Sequence, residues 1–267
     1  MAVIAMQSAS SGLRALDTRL DVIANNLANV NTEGFKSSRV NFEDLLYLER
    51  AQPGVENTNG DQRPTGLYVG LGVRASGTQQ DFEQGAPIPG GPLDIMIEGK
   101  GFFKVKVESD LGGGEAYTRA GNFVPNANGD LVLANSDGRL LDPPVTIPNN
   151  AENVQFTGSG QVLATIPPSN VPTEIGQVSL SIFVNPAGLT QVGTNLWIES
   201  AASGTPIDGE PETQNFGAIQ GGALEGSNVD PSKELIELIR TQRAFEMNSQ
   251  AIRAADETLQ SVAQLRR

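Results

Sequence analysis

The chain has no cysteine and no histidine. Those two absences remove the usual zinc and haem ligand sets, the cysteine nucleophile and every histidine-centred triad, so most familiar catalytic chemistry is excluded. Without cysteine there are no disulfides, which suits a reducing or an oxidising compartment equally. Aromatic residues are scarce at 5%, and 18 basic side chains face 31 acidic ones, a formal net charge of −13. No stretch approaches the roughly 20 apolar residues that span a bilayer. The opening MAVIAM is apolar but short, with no basic residue before it and no small-residue cleavage pattern, so a Sec-type signal peptide is not expected. Composition alone leads to the expectation of a soluble, cytosolic protein.

The charge that is present is unevenly placed. Residues 51–219 hold 7 basic and 18 acidic side chains, net −11, whereas residues 1–50 and 220–267 each carry only −1. Nearly neutral ends and an acidic middle fit ends buried against protein and a middle facing water. This balance disfavours nucleic acid as a partner. Binding of cations or basic partners stays open for the middle, beside the simpler reading of a solvated, self-repelling surface. With 267 residues and 38% of them hydrophobic, the chain has enough material for a real core.

Both ends carry apolar residues at heptad spacing. Leu13, Leu16, Leu20, Ile23, Leu27 and Val30 alternate steps of three and four, and Leu238, Phe245, Ile252 and Leu259 recur every seven residues. Ala244, Ala251, Ala255 and Val262 are small or aliphatic neighbours that fill the stripe. This is the seam pattern of a coiled coil, and each such helix needs a partner. The terminal segments are therefore expected to pack on each other, within one molecule or between copies. One seam offsets too little of the cost of ordering a helix, so the ends are expected to be ordered only where copies bury a further face. The first helix is expected from about residue 3 to Val30, with Gly34 free to take the left-handed conformation that ends helices. The last helix is expected to start at Asp230 as N-cap with Pro231 at the first helical position and Glu234 near the positive end of the dipole. Asn25, Asn26 and Asn29 lie beside the leucine stripe, where amides can pair with neighbours, although plain solvent exposure is the simpler expectation.

Between the ends the pattern is β. Gln52 to Gly66 is rich in Pro, Gly, Asn, Thr and Gln and reads as an extended excursion, followed by a strand through YVGLGVR. The Gly-x-Gly there precedes no helix and no Lys-Ser/Thr, so it is not a phosphate loop. Leu93 to Ile97 and Phe102 to Val107 flank Glu98-Gly99-Lys100-Gly101, the layout of two strands joined by a tight turn. Shorter strands are expected near Tyr117 to Val124, Leu131 to Leu133, Arg139 to Leu141, Val154 to Phe156, Gln161 to Ile166, Gly176 to Val184 and Leu196 to Glu199. Prolines 167, 168, 172 and 186 separate the later strands. Asn126-Ala127-Asn128-Gly129 and Asn135-Ser136-Asp137-Gly138 are hairpin chemistry. A calcium loop with Gly129 at its sixth position would put Val124 and Asn135 where acidic ligands belong, so the turn reading wins.

The fold class that results is α+β, with N- and C-terminal helices pairing as a coiled coil around a central, mostly antiparallel β domain. Its organisation reads as residues 1–44 for the first helix and the segment after it, 45–77 for an extended linking segment, 78–219 for the β domain and 220–267 for the last helix.

LDVIANNLANVNTEGFKSS at 20–38, IEGKGFFKV at 97–105, YTRAGNF at 117–123 and SNVDPSKELIELIRTQRAFEMNSQAI at 227–252 resemble the bacterial flagellar rod and hook family. DLLYLERAQPG at 44–54, with the Pro/Gly-rich excursion and the total length, brings the likeness nearest to the distal rod members. The resemblance implies a non-enzymatic subunit without cofactor or metal, a homo-polymer that builds a hollow helical tube across the periplasm. It implies export through the flagellar type III apparatus without a cleaved signal, contact with other rod proteins, the hook protein and the surrounding basal-body rings, and no membrane insertion. On that reading Leu20, Ile23 and Leu27 would pack against Leu238, Phe245 and Ile252, Gln242 and Arg243 would make polar contacts between subunits, and residues 45–66 would bridge to neighbours. Phe245 departs from the family, which usually has Tyr there. The alternatives are a proximal rod or hook-type subunit, a glycosidase using paired carboxylates, which no spacing singles out, and a monomeric β-headed binding module.

Overall fold

The computed structural model describes residues 2–54, 64–167, 171–213 and 215–265, so part of the 52–66 excursion and Pro168 lie outside the described residues, as does the side chain of Val262. The chain divides into two compact units, one made of residues 1–28, 38–80 and 230–267, the other of 29–37 and 81–229. Among the described residues no helix is long and apolar enough to cross a membrane.

The first unit holds two long helices, α1 (Ala2–Ala28) and α2 (Pro231–Leu265). α2 begins as its sequence dictates. Asp230 Oδ1 accepts from the backbone N–H groups of Ser232 at 2.9 Å and Lys233 at 3.3 Å, satisfying two donors that the first turn leaves free. α1 ends two residues before Val30, so Val30 sits in the turn that follows and not on the helical seam. Gly34 is not the helix stop. It adopts φ +66° well past the end of α1, where a Cβ would lie 2.7 Å from the backbone nitrogen of Ala120.

Between the helices in sequence runs a β-ribbon of four strands, β1 (Ser38–Asp44), β2 (Tyr47–Ala51), β3 (Leu67–Gly70) and β4 (Val73–Gln80). β1 pairs with β4 and β2 with β3, both antiparallel, so the two hairpin halves are nested. Leu45 N–H to Gly72 C=O at 2.9 Å and Leu71 N–H to Leu46 C=O at 3.1 Å carry the ladder across the join. YVGLGVR is thus two strands broken at Leu71-Gly72. Gly72 has φ +125°, and a Cβ there would run into Ser11 Oγ of α1, which itself accepts from the Val73 N–H at 3.1 Å. Residues 45–51 and 67–77 are arms of this paired ribbon.

In the second unit every described strand pair is antiparallel, with two short 3-10 turns at Gly112–Gly114 and Pro186–Gly188. Its largest sheet runs in the order Thr190–Gly193, Leu196–Ile198, Glu115–Thr118, Phe102–Lys106, Leu180–Ile182, Ile207–Gly209, with Leu141–Asp142 also paired to Phe102–Lys106. Asn153–Phe156, Gln161–Thr165 and Pro172–Gln177 form a three-stranded sheet. Phe102 and Phe103 point to opposite faces, as successive strand residues must. Phe103 joins a core with Ile95, Ile97, Phe123, Leu131, Leu141 and Leu180, while Phe102 joins Tyr117, Phe183, Leu189 and Trp197. The rings meet edge to face, Phe103 on Phe123 at 5.5 Å and Tyr117 on Phe183 at 4.8 Å.

Three strand expectations need correction. Ile95–Glu98 and Phe102–Lys106 are not a hairpin: the first pairs with Ala218–Gly221, because Gly99 at φ +107° and Gly101 at φ +144° turn the chain into another sheet. The run from Tyr117 to Val124 splits at Arg119–Asn122, where Gly121 passes so close to the Ile95 carbonyl that no side chain fits. The run from Gly176 to Val184 also splits, into Pro172–Gln177 and Leu180–Ile182, and Pro172 opens a strand instead of separating two. The hairpin at Asn126–Gly129 forms as expected, with Asn126 Oδ1 accepting from Asn128 N–H at 2.8 Å and Asp130 N–H at 2.9 Å.

Asn228 ties together three segments of this unit. Its Oδ1 accepts from Ser37 N–H at 2.7 Å, and its Nδ2 donates to the carbonyls of Asp81 at 2.8 Å and Glu83 at 3.2 Å.

Candidate assembly surface

The helix pair is antiparallel. Asn26 Nδ2 donates to Glu234 Oε1 at 3.1 Å, Arg19 Nη2 meets Glu237 Oε2 at 2.5 Å, and a Cβ on Gly12 would lie 3.0 Å from Asn248 Nδ2. In that register Leu238 is level with Val22, Phe245 with Ala15 and Ile252 with Ser8. In this pair Leu27, next to Asn26 in sequence, lies near the start of α2, where Asn26 meets Glu234. Ile23 is buried, while Leu13, Leu16, Leu20, Leu27, Leu238, Ile252 and Leu259 are half-buried. Gln242 and Arg243 face solvent, Phe245 is 36% exposed, and Val30 is half-buried beyond the end of α1.

α2 carries a second apolar row that the seven-residue reading missed. Leu235, Ile236, Ile239 and Met247 are 46%, 50%, 48% and 63% exposed. The pairs Leu235-Ile236 and Leu238-Ile239, one turn apart, make a stripe wider than one seam, which is the sequence feature that marks it. The far half of the ribbon adds Leu46, Tyr47, Leu48, Leu67 and Tyr68, all exposed, Leu46 at 82%.

Asn26 is another residue whose place differs from expectation. It is 1% exposed, and its amide both donates to Ser38 C=O at 2.8 Å and accepts from Ser38 N–H at 2.9 Å, so it clamps β1 to α1 besides reaching Glu234. Burial pushes the Glu234 carboxyl above its ordinary value, against the opposing pull of the Asn26 hydrogen bond.

The second unit hides an ion cluster that no spacing announces. Glu225, fully buried, accepts on Oε1 from Lys36 Nζ at 2.6 Å and Gly85 N–H at 3.0 Å, and on Oε2 from Arg119 Nη1 at 3.2 Å. Lys36 Nζ also donates to Glu83 C=O at 2.7 Å, and Arg119 Nη2 to Gly99 C=O at 2.8 Å. Arg119 lies 5.4 Å from the centre of the Phe102 ring. Burial pulls both cations below their ordinary values, with Glu225 opposing it. Lys36 and Arg119 come from two of the four recognisable sequence stretches, so those stretches converge in space on one carboxylate.

Comparison with known proteins accounts for this arrangement along the chain. A family model described as flagella basal body rod protein matches residues 6–36, one for the flagellar hook protein FlgE/F/G D1 domain matches 96–164, and one for the flagellar basal body rod FlgEFG protein C-terminal region matches 220–265. The flagellar basal-body rod protein FlgG of Caulobacter vibrioides is 42% identical over 264 residues, covering 98% of this chain and 99% of the relative. The protein of the same name from Borreliella burgdorferi is 40% identical over 266 residues and that from Bacillus subtilis 36% over 274, each covering 98% of both chains. With one helix-bearing match at each end and one on the β unit, the chain belongs to the FlgG family of flagellar basal-body rod proteins.

Proposed function

We propose that this chain is a non-enzymatic structural subunit of the distal rod of the bacterial flagellum, polymerising into a stiff hollow tube that carries motor torque to the hook and so supports motility. The observation that carries the reading is the second apolar row of α2. Leu235, Ile236, Ile239 and Met247 leave one helix face uncovered after α1 has taken the other, and an exposed apolar stripe of this kind marks a surface that another protein covers. Further copies of the same chain are the occupant, through residues 1–44 and 220–267. The exposed ribbon within 45–77 bridges to a neighbouring copy, and the acidic β unit, 78–219, faces outward. A shaft whose subunits each touch several neighbours through close-packed interfaces resists twisting.

The same reading gives the partners: other rod proteins, the hook protein, the basal-body rings around the shaft and the type III export apparatus, which passes the chain to the periplasm without cleaving a signal. Sedimentation over a concentration series tests it. Wild-type protein forms polymers, and Ile239→Asp stays monomeric with Trp197 fluorescence unchanged. A wild-type protein that is monomeric at every concentration, or Ile239→Asp cells that still build rods in electron micrographs and swim, overturns the reading.

A further inference from the structure

The apolar row Leu238, Phe245, Ile252, Leu259 repeats every seven residues, so sliding α2 by one heptad along α1, about 10 Å, replaces one large apolar side chain by another. That row cannot choose between registers. The row beside it can, because its members differ: Glu234, Thr241, Asn248 and Ala255 on α2 stand level with Asn26, Arg19, Gly12 and Ala5 on α1. In the observed register the buried Asn26 amide has the Glu234 carboxylate and Arg19 has Glu237. Thr241, 2% exposed, bonds back to the Glu237 carbonyl of its own helix at 2.7 Å and asks nothing of α1.

A slide of seven in one direction offers Glu234 to Arg19 but takes the carboxylate away from Asn26. A slide in the other sets Asn248 against Arg19 and strips Glu234 and Glu237 of their partners. Polar side chains in a coiled-coil seam act in this way, lowering stability while selecting one alignment.

We infer that Asn26, Arg19, Glu234 and Glu237 form a register key that selects one alignment of the α1–α2 pair among the alignments its apolar row leaves equivalent. The inference concerns contacts inside one chain and stands apart from the polymerisation reading. Its competitor is tethering, since β1 follows α1 closely and the chain enters α2 directly from residue 229.

Because the chain has no cysteine, engineered pairs report the register in full-length protein. A Cβ on Gly12 lies 3.6 Å from Asn248 Cγ, close to where a cysteine sulfur would sit. Gly12→Cys with Asn248→Cys therefore closes under mild oxidation, whereas Gly12→Cys with Thr241→Cys or with Ala255→Cys does not. The key is then removed with Glu234→Leu and Glu237→Leu, which leave the Asn26–Ser38 bonds intact. The yield at position 248 relative to the better slipped position falls about tenfold, as expected for losing one hydrogen bond to a charged group. An unchanged ratio, or loss of helicity with loss of all three cross-links, assigns the register to the tethers and overturns the key.

Discussion

Lys36 Nζ lies 2.6 Å from Glu225 Oε1, and neither side chain is exposed to solvent. Arg119 shares the same carboxylate, so two buried cations depend on one anion. Glu225→Ala leaves both uncompensated and is expected to cost about 3–5 kcal/mol. Urea unfolding followed through Trp197, the one tryptophan of the chain, reads this directly. A midpoint within error of wild type would refute the dependence.

Glu234→Gln is expected to stabilise the helix pair at neutral pH. Burial raises the folded carboxyl above its unfolded value, so its contribution is fully present below the unfolded pKa and is lost as pH rises through the folded one. Near pH 7 the ionised Glu234 is therefore unfavourable, and a glutamine that keeps the acceptor for Asn26 removes the penalty. Thermal melts by circular dichroism should show a higher midpoint for the variant at neutral pH and convergence with wild type below about pH 4.

Tyr117 governs the alkaline limit of the second unit. It is 1% exposed, with its hydroxyl 3.3 Å from Glu115 Oε2, and burial raises its phenol well above the ordinary value. A raised folded pKa gives stability that is present below the unfolded pKa, about 10, and is lost as pH rises beyond it. Tyr117→Phe loses about 0.5–1.5 kcal/mol with the hydrogen bond at neutral pH yet keeps native Trp197 fluorescence to higher pH than wild type. If both proteins lose it at the same pH, another group sets the limit.

Leu46→Ser separates assembly from folding. At 82% exposure Leu46 contributes little to its own unit, so unfolding should move by no more than about 0.5 kcal/mol. The polymer should be less stable, seen as a raised critical concentration in sedimentation. An unaltered critical concentration would remove the ribbon from the interface.

What was legible in the sequence was periodic or local. The helical character of α1 and α2, the Asp230 cap and the Asn126 turn depend on neighbours within a few residues, and each formed as its chemistry requires. Strand limits failed where tertiary contact overrode pattern: Gly121 breaks a run because the Ile95 carbonyl occupies the space of its Cβ, and nothing near Gly121 in sequence says so. Helix direction was equally hidden, since an apolar row of period seven looks the same read forwards or backwards. Glu225 with Lys36 was illegible for a plainer reason, a separation of 189 residues. The second row of α2 was open to reading, in the doubled apolar pairs at 235–236 and 238–239.

Asn228 has a mechanical consequence. The chain passes between its two units at residues 28–29, 37–38, 80–81 and 229–230, and Asn228 bonds the backbone of Ser37 and of Asp81, each at the edge of one of those passages. Within the second unit these bonds link three chain segments next to those passages, so a pull on one segment is shared by the other two. Rupture then demands several hydrogen bonds broken at once, and Asn228→Asp, which sets a carboxylate oxygen against the Asp81 and Glu83 carbonyls, would loosen these segments under load and at rest alike.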